Sequence, residues 1–101
     1  MNVTANDILQ RNPALAWREI ESETVIISPG ESVMHELNDT GSLVWRNIDG
    51  HRNAKELAAL LVSEYEVTLE TALADTLSLL EELSTRKLLL PADASAGNEA
   101  R

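Results

Sequence analysis

From Thr24 to Ile27 every residue is β-branched, the composition that packs well on a pleated surface and resists helix. Ser28-Pro29-Gly30-Glu31 follows, with Pro and Gly where a type II turn needs a fixed φ and then a positive one. Ser32 to Leu37 then alternates, with Val33, His35 and Leu37 on one face and Ser32, Met34 and Glu36 on the other. Val33 and Leu37 are the residues expected to face the core. Trp17 to Glu21, apolar at Trp17 and Ile20, reads as a weaker strand ahead of these two. The three runs form a meander that ends at Leu37.

After Asn38 the period of the apolar positions becomes helical. Asn38 or Asp39 can cap a first helix with an apolar face of Val44, Trp45 and Ile48. Asp49-Gly50 is expected to end it, Gly50 suiting a left-handed residue past a helix. Asn53-Ala54-Lys55-Glu56 has the form of a capping box and opens a second helix that buries Leu57, Leu60, Leu61 and Tyr65. Thr68 caps a third and longest helix running to about Arg86. Its core stripe is read as Leu69, Leu73, Thr76, Leu80 and Leu83, with Ala72, Asp75, Leu79 and Glu82 on a neighbouring mixed stripe. Leu88-Leu89-Leu90 returns to the core before Pro91.

This order predicts an α+β fold, a three-stranded antiparallel N-terminal sheet followed by three helices. Residues 1–12 lack a steady period and are expected to fray, residues 13–91 to form one domain, and the small polar residues 92–101 to be disordered.

Composition narrows the function. The apolar share is an ordinary 44%, but aromatics supply only 3% and Phe is absent, so the core is aliphatic. Without cysteine there is no disulfide, iron–sulfur cluster or thiol chemistry. The longest clean apolar run, Leu57 to Val62, is far too short to span a bilayer. No signal-peptide pattern opens the chain, and the expected location is cytoplasmic, away from membranes. The net charge of −9 opposes nucleic-acid binding, which needs a positive footprint. Arg46, Arg52 and Lys55 lie close together on an otherwise acidic chain. A basic or apolar partner suits this balance.

The chain shows no catalytic constellation. His35 and Glu36 are neighbours in a strand and point to opposite faces. His51 beside Asp49 sits in a turn and reads as solvated rather than metal-ligating. The four glycines form no phosphate loop. The expectation is a binding protein without catalytic residues, metal or cofactor.

Leu37-Asn38-Asp39-Thr40-Gly41, then Val44-Trp45, then Ile48-Asp49-Gly50 resembles the core signature of the PqqD family, also known as RiPP recognition elements or peptide-maturation chaperones. The similarity continues through Glu56-Leu57, Leu61 and Tyr65, and resumes at Asp75-Thr76, Leu79-Leu80, Leu83 and Leu88-Leu89. Two positions depart from the pattern. Lys87 stands where members often carry Gly, and Thr76 where an aliphatic residue is usual. Trp45 and Leu37 are assigned to the core.

The resemblance implies a winged helix-turn-helix-like fold that does not bind DNA. It implies that the chain holds the leader segment of a ribosomally made precursor peptide and presents it to a peptide-modifying enzyme. The peptide would add as a strand to the third strand of the sheet, in a cleft walled by the third helix. Carried onto this chain, Ser32, Val33, Met34, His35 and Glu36 supply the edge. An exposed edge offers backbone groups for affinity while pockets add selectivity. Leu79 with Ala72 gives an apolar wall, and Asp75 and Glu82 meet basic leader residues. Two alternatives stand beside this one. A DNA-binding regulator would use Arg52, Lys55 and Arg86 on phosphates, and a subunit that only docks onto a larger enzyme would use the sheet edge to form a homodimer.

Overall fold

The computed structural model describes residues 3–28 and 33–92. The elements run β1 (Leu9–Arg11), β2 (Ala16–Ile20), β3 (Glu23–Ser28), β4 (Val33–Leu37), α1 (Asp39–Arg46), α2 (Ala54–Glu64), α3 (Leu69–Thr85) and β5 (Leu89–Pro91). Strands β2-β3-β4 form an antiparallel sheet in that order, and β1 and β5 form a separate antiparallel ribbon. The fold is α+β, with the expected three-stranded sheet ahead of three helices.

Strands β2 and β3 are joined by Glu21 and Ser22 alone, with φ of 58° and 91°. Two positive φ values match the turn to the right-handed twist of the strands. The register puts Thr24 opposite Leu37, Ile26 opposite His35 and Ser28 opposite Val33, so these pairs share the inner face. Thr24, Ile26 and Ser28 are buried there. Met34 lies opposite Ile27 and Glu36 opposite Val25 on the outer face. Leu37 packs against the core. Val33 faces inward as the alternation requires, yet is 40% exposed, because it occupies the last rung on a free edge. The turn read at 28–31, and Ser32, lie outside the described residues apart from Ser28.

The three caps are local features and form where the sequence places them. Asn38 Oδ1 accepts the Gly41 N–H at 2.9 Å, Asn53 and Glu56 exchange both capping-box bonds at 2.8 Å, and Thr68 accepts the Thr71 N–H. Helix α1 stops at Arg46, earlier than Asp49-Gly50, with Asn47 as its C-cap. The Asn47 side chain donates to the Leu43 carbonyl at 2.8 Å, competing with a further turn. Gly50 has φ +85° in the connection that follows.

Residues 3–12, expected to fray, are integrated into the fold. Val3 and Leu9 are buried. The carbonyls of Asp7 and Ala5 accept the N–H groups of Ala54 and Lys55, two of the donors that any helix start leaves unpaired. Strand β1 pairs with β5 in the register Leu9–Pro91, Gln10–Leu90 and Arg11–Leu89. Arg11 Nη1 donates to the carbonyls of Trp45 at 2.8 Å and Arg46 at 3.2 Å, closing the end of α1. Its guanidinium lies 4.9 Å from the Trp17 ring centroid, and Trp17 meets the buried Trp45 edge-on at 6.0 Å. Three-residue strands leave no periodic signature, and these two partners are separated by most of the chain.

Helix α3 buries Ala72, Thr76, Leu80 and Leu83. Leu69, read as a core residue, is 49% exposed because it sits in the first turn. Ala72, read on the mixed stripe as part of a groove wall, is 1% exposed inside the core.

Candidate peptide groove

A groove runs between β4 and α3. Strand β4 is an edge of its sheet, and alternate residues of an edge strand turn their N–H and C=O groups away from the neighbour. The space beside it has a volume of about 540 Å³. Met34, His35, Glu36 and Leu37 line the strand side, and Leu79, Glu82, Leu83 and Arg86 the helix side. Asn38 and Gly41 close one end. A smaller recess of about 120 Å³ shares Asn38, Gly41 and Leu79 with the groove and extends it to Asp75 and Thr76. The helix therefore runs antiparallel to β4, with Arg86 near the start of the strand and Asp75 near its end.

The start of α1 shapes this closed end. Asn38 faces it as the N-cap, its Oδ1 also accepting the Thr40 hydroxyl at 3.1 Å. A Cβ on Gly41 would stand 3.3 Å from both Asn38 Oδ1 and Leu37 Cβ, so the absence of a side chain lets the cap close against β4. Beneath it, the Thr24 hydroxyl donates to Ser42 Oγ at 2.7 Å, and the Ser42 hydroxyl donates to the Leu37 carbonyl at 3.3 Å. This buried relay fixes the end of β4 to β3 and α1. Leu37-Asn38-Asp39-Thr40-Gly41 thus works as one joint between the edge and the helices.

The groove face of α3 is a stripe at i, i+4, i+7 and i+11: Asp75, Leu79, Glu82 and Arg86. Leu79 is half-buried, and the three charged residues are exposed. Arg86 pairs with Glu82 at 3.2 Å. Of the site residues read from the sequence, the structure brings together Met34, His35, Glu36, Leu79 and Glu82, with Asp75 in the adjoining recess. It places Val33 at the rim end of the ladder and Ala72 in the core, and Ser32 is outside the described residues. Asn38, Gly41, Leu83 and Arg86 also line the groove, and extending the mixed stripe by one further step of four reaches Arg86.

Elsewhere, Asp49 Oδ1 accepts the N–H groups of His51 at 2.9 Å and Arg52 at 3.1 Å. These bonds, with the His51 N–H foremost and Arg52 contributing its N–H and charge, hold the Asp49 carboxyl below its ordinary value against a smaller opposing effect of burial. This is turn chemistry, and among the described residues no group of three His, Asp or Glu side chains is arranged to hold a metal. Nor does any helix among them have the length and apolarity to cross a membrane.

Residues 23–89 match the family described as coenzyme PQQ synthesis protein D (PqqD), well over half of the chain. The chain belongs to the PqqD family. The match begins at β3 and ends inside β5, so it contains both walls of the groove. Solved structures agree on the fold. A lasso peptide synthetase B1 complexed with the leader peptide superposes with a TM-score of 0.73 at 24% identity, covering 82% of this chain and 98% of that one. TbiB1 in complex with the TbiA(beta) leader peptide gives 0.73 at 22% identity, covering 79% and 93%. The PqqD truncation of Methylobacterium extorquens PqqCD, described as a functional and stand-alone RiPP recognition element, gives 0.72 at 21% identity, covering 86% and 93%. No curated protein matches the chain in sequence.

Proposed function

We propose that this chain binds the leader segment of a ribosomally synthesised precursor peptide as an added strand on β4 and delivers it to a modifying enzyme. The observation that carries this reading is the open β4 edge facing Leu79 across a groove of about 540 Å³. Backbone pairing on β4 supplies affinity without regard to sequence, and the α3 stripe supplies selectivity. Binding of this kind needs no catalytic group, metal or cofactor. Family membership supports the reading, as does the fold shared with two proteins solved with leader peptides. A substrate made on ribosomes places the encounter in the cytoplasm.

The DNA-binding alternative is weakened by its own residues. Arg52 pairs with Asp49 at 2.9 Å and Arg86 with Glu82 at 3.2 Å, and the neighbouring Arg46 pairs with Glu19 at 2.7 Å. Of the three cations this alternative would use, only Lys55 has no carboxylate partner among the described residues, on a chain of net charge −9. A homodimer through β4 would occupy the same edge, so added peptide would convert such a dimer to monomer in size-exclusion runs.

The test is a titration of isotopically labelled protein with synthetic leader segments from precursor genes adjacent to its own. Amide signals of 33–37 are expected to shift most, and Leu79→Asp to weaken binding at least tenfold, about 1.4 kcal/mol. Met34→Lys is expected to act less, because the register turns Met34 to the outer face beside Ile27. Saturable binding that leaves 33–37 unshifted and ignores Leu79→Asp would refute the proposed site.

A further inference from the structure

The stripe Asp75, Leu79, Glu82, Arg86 is not uniform along its length. The Asp75 carboxylate has no hydrogen bond or ion pair among the described residues, while that of Glu82 is engaged by Arg86 at 3.2 Å. The anionic end therefore lies by Asn38 and the recess, and the one cation of the stripe lies by the start of β4. We infer that α3 sorts charge along the groove, Asp75 taking a basic side chain of the bound peptide and Arg86 an acidic one, so that the groove selects leader segments by the order and spacing of those two charges. The inference rests on the peptide-binding reading above and specifies the class of leader that fits.

Spacing and order follow from geometry. Asp75 in α3 and Arg86 at its C-cap are eleven residues apart, a rise of about 16 Å at 1.5 Å per residue. An extended peptide covers that length in about five residues at 3.3 Å each. Both side chains must face α3, and side chains of a strand alternate, so the separation must be even: four or six residues. An apolar residue between them meets Leu79. Every pairing in the sheet is antiparallel, and an added strand that continues the pattern runs opposite to β4. Its N-terminal part then lies by Asp75 and its C-terminal part by Arg86. The preferred leader carries Lys or Arg first, then an apolar residue, then Asp or Glu. The existing Glu82–Arg86 pair is no obstacle, since both side chains are exposed and such surface i,i+4 pairs are weak.

The test uses a random ten-residue peptide library displayed on phage, selected on immobilised protein and read by sequencing. Three proteins are compared: the unaltered chain, the charge-reversed variant Asp75→Lys/Arg86→Glu, and the groove-blocked variant Leu79→Asp. Folding of each is verified by circular dichroism melting, and all altered side chains lie on the groove face. Peptides enriched on the unaltered chain are expected to carry base before acid at a separation of four or six. Individual peptides in that order should bind about tenfold tighter than their charge-swapped counterparts at low salt, with the gap narrowing as salt rises. The charge-reversed variant is expected to enrich the opposite order. Enrichment without charge order, or with the same order on the charge-reversed variant, overturns the inference and leaves the peptide-binding reading intact. Failure of any peptide to enrich on the unaltered chain above the groove-blocked variant overturns that reading as well.

Discussion

Lys87 occupies a backbone position that suits glycine, and replacing it should stabilise the protein. Helix α3 ends with Arg86 as C-cap, and Lys87 follows with φ of 65°. The Lys87 N–H donates to the Ser84 carbonyl and the Leu88 N–H to the Leu83 carbonyl, both at 2.9 Å. These two bonds form a Schellman motif, which requires a left-handed residue at this place. The carbonyl of Lys87 is also held by the Asn12 side chain at 3.0 Å, so the backbone has little freedom to relax. A non-glycine residue in the left-handed region costs roughly 1–2 kcal/mol. Glycine gives back part of this, about 0.5–1 kcal/mol, through the larger entropy of its unfolded chain. Lys87→Gly should therefore gain about 1 kcal/mol, or about 4–8 °C in Tm for a domain of this size. Urea and thermal melts measure it, with an unchanged m-value showing that only stability moved. Lys87→Ala is the control, since it removes the charge and keeps the strain, and it should gain nothing. The argument fails if Lys87→Gly melts at or below the original temperature, or if Lys87→Ala gains as much.

Three further expectations concern stability alone. Thr76 is 1% exposed and its Oγ1 has no hydrogen-bond partner, so Thr76→Val should stabilise by about 1–3 kcal/mol, the cost of an unmet buried polar group; a loss in chemical denaturation would show that the hydroxyl is satisfied after all. Ser42→Ala breaks the relay and strands the Thr24 hydroxyl in the core, a cost of about 1–3 kcal/mol, and the double variant with Thr24→Val should recover part of it in a mutant cycle. The Asp49 carboxyl is held below its ordinary value of 3.8 by the His51 and Arg52 N–H groups. Its contribution is thus complete above the unfolded-state value and is lost as pH falls through the lower folded-state value; melts of Asp49→Asn between pH 2 and 6 should show a shallower acid-side decline than the original, and an identical decline would remove Asp49 as a cause.

What was legible in the sequence was legible for a local reason. Asn38, Asn53 and Thr68 were identifiable as caps because each serves N–H groups within three residues of itself. The β-branched run at Thr24–Ile27 made β3 visible for the same reason. Strands β1 and β5 are three residues each, and their pairing joins Leu9 to Pro91 across the chain, so neither window carries a period. Ala72 shows a limit of the helical wheel. It lies between the core stripe and the groove stripe, and only the packing around it decides that it is buried. The charge of Arg86 suits the phosphate contacts of the DNA-binding alternative, whereas its position on the Asp75–Leu79–Glu82 stripe puts it in the groove. Both departures from the family pattern turn out to carry a cost: Lys87 sits at a left-handed position, and Thr76 buries an unpaired hydroxyl.

The sheet has two edges, and the chain treats them differently. At β2 the free edge presents Arg18 and Glu19, with Glu21 at the hairpin beyond, and charged residues on an edge discourage pairing. Glu19 is further tied to Arg46 at 2.7 Å, which fastens that strand to the end of α1. At β4 the edge opens onto Leu79 and Leu83, with charges of both signs set on one helical stripe. Residues 3–12 contribute indirectly, since β1 holds β5 and Asn12 holds the carbonyls of Lys87 and Leu88, which fixes the turn that ends α3. Backbone pairing alone would not distinguish the two edges. The helix across the groove does, and it is the element in which a change of leader preference should be engineered.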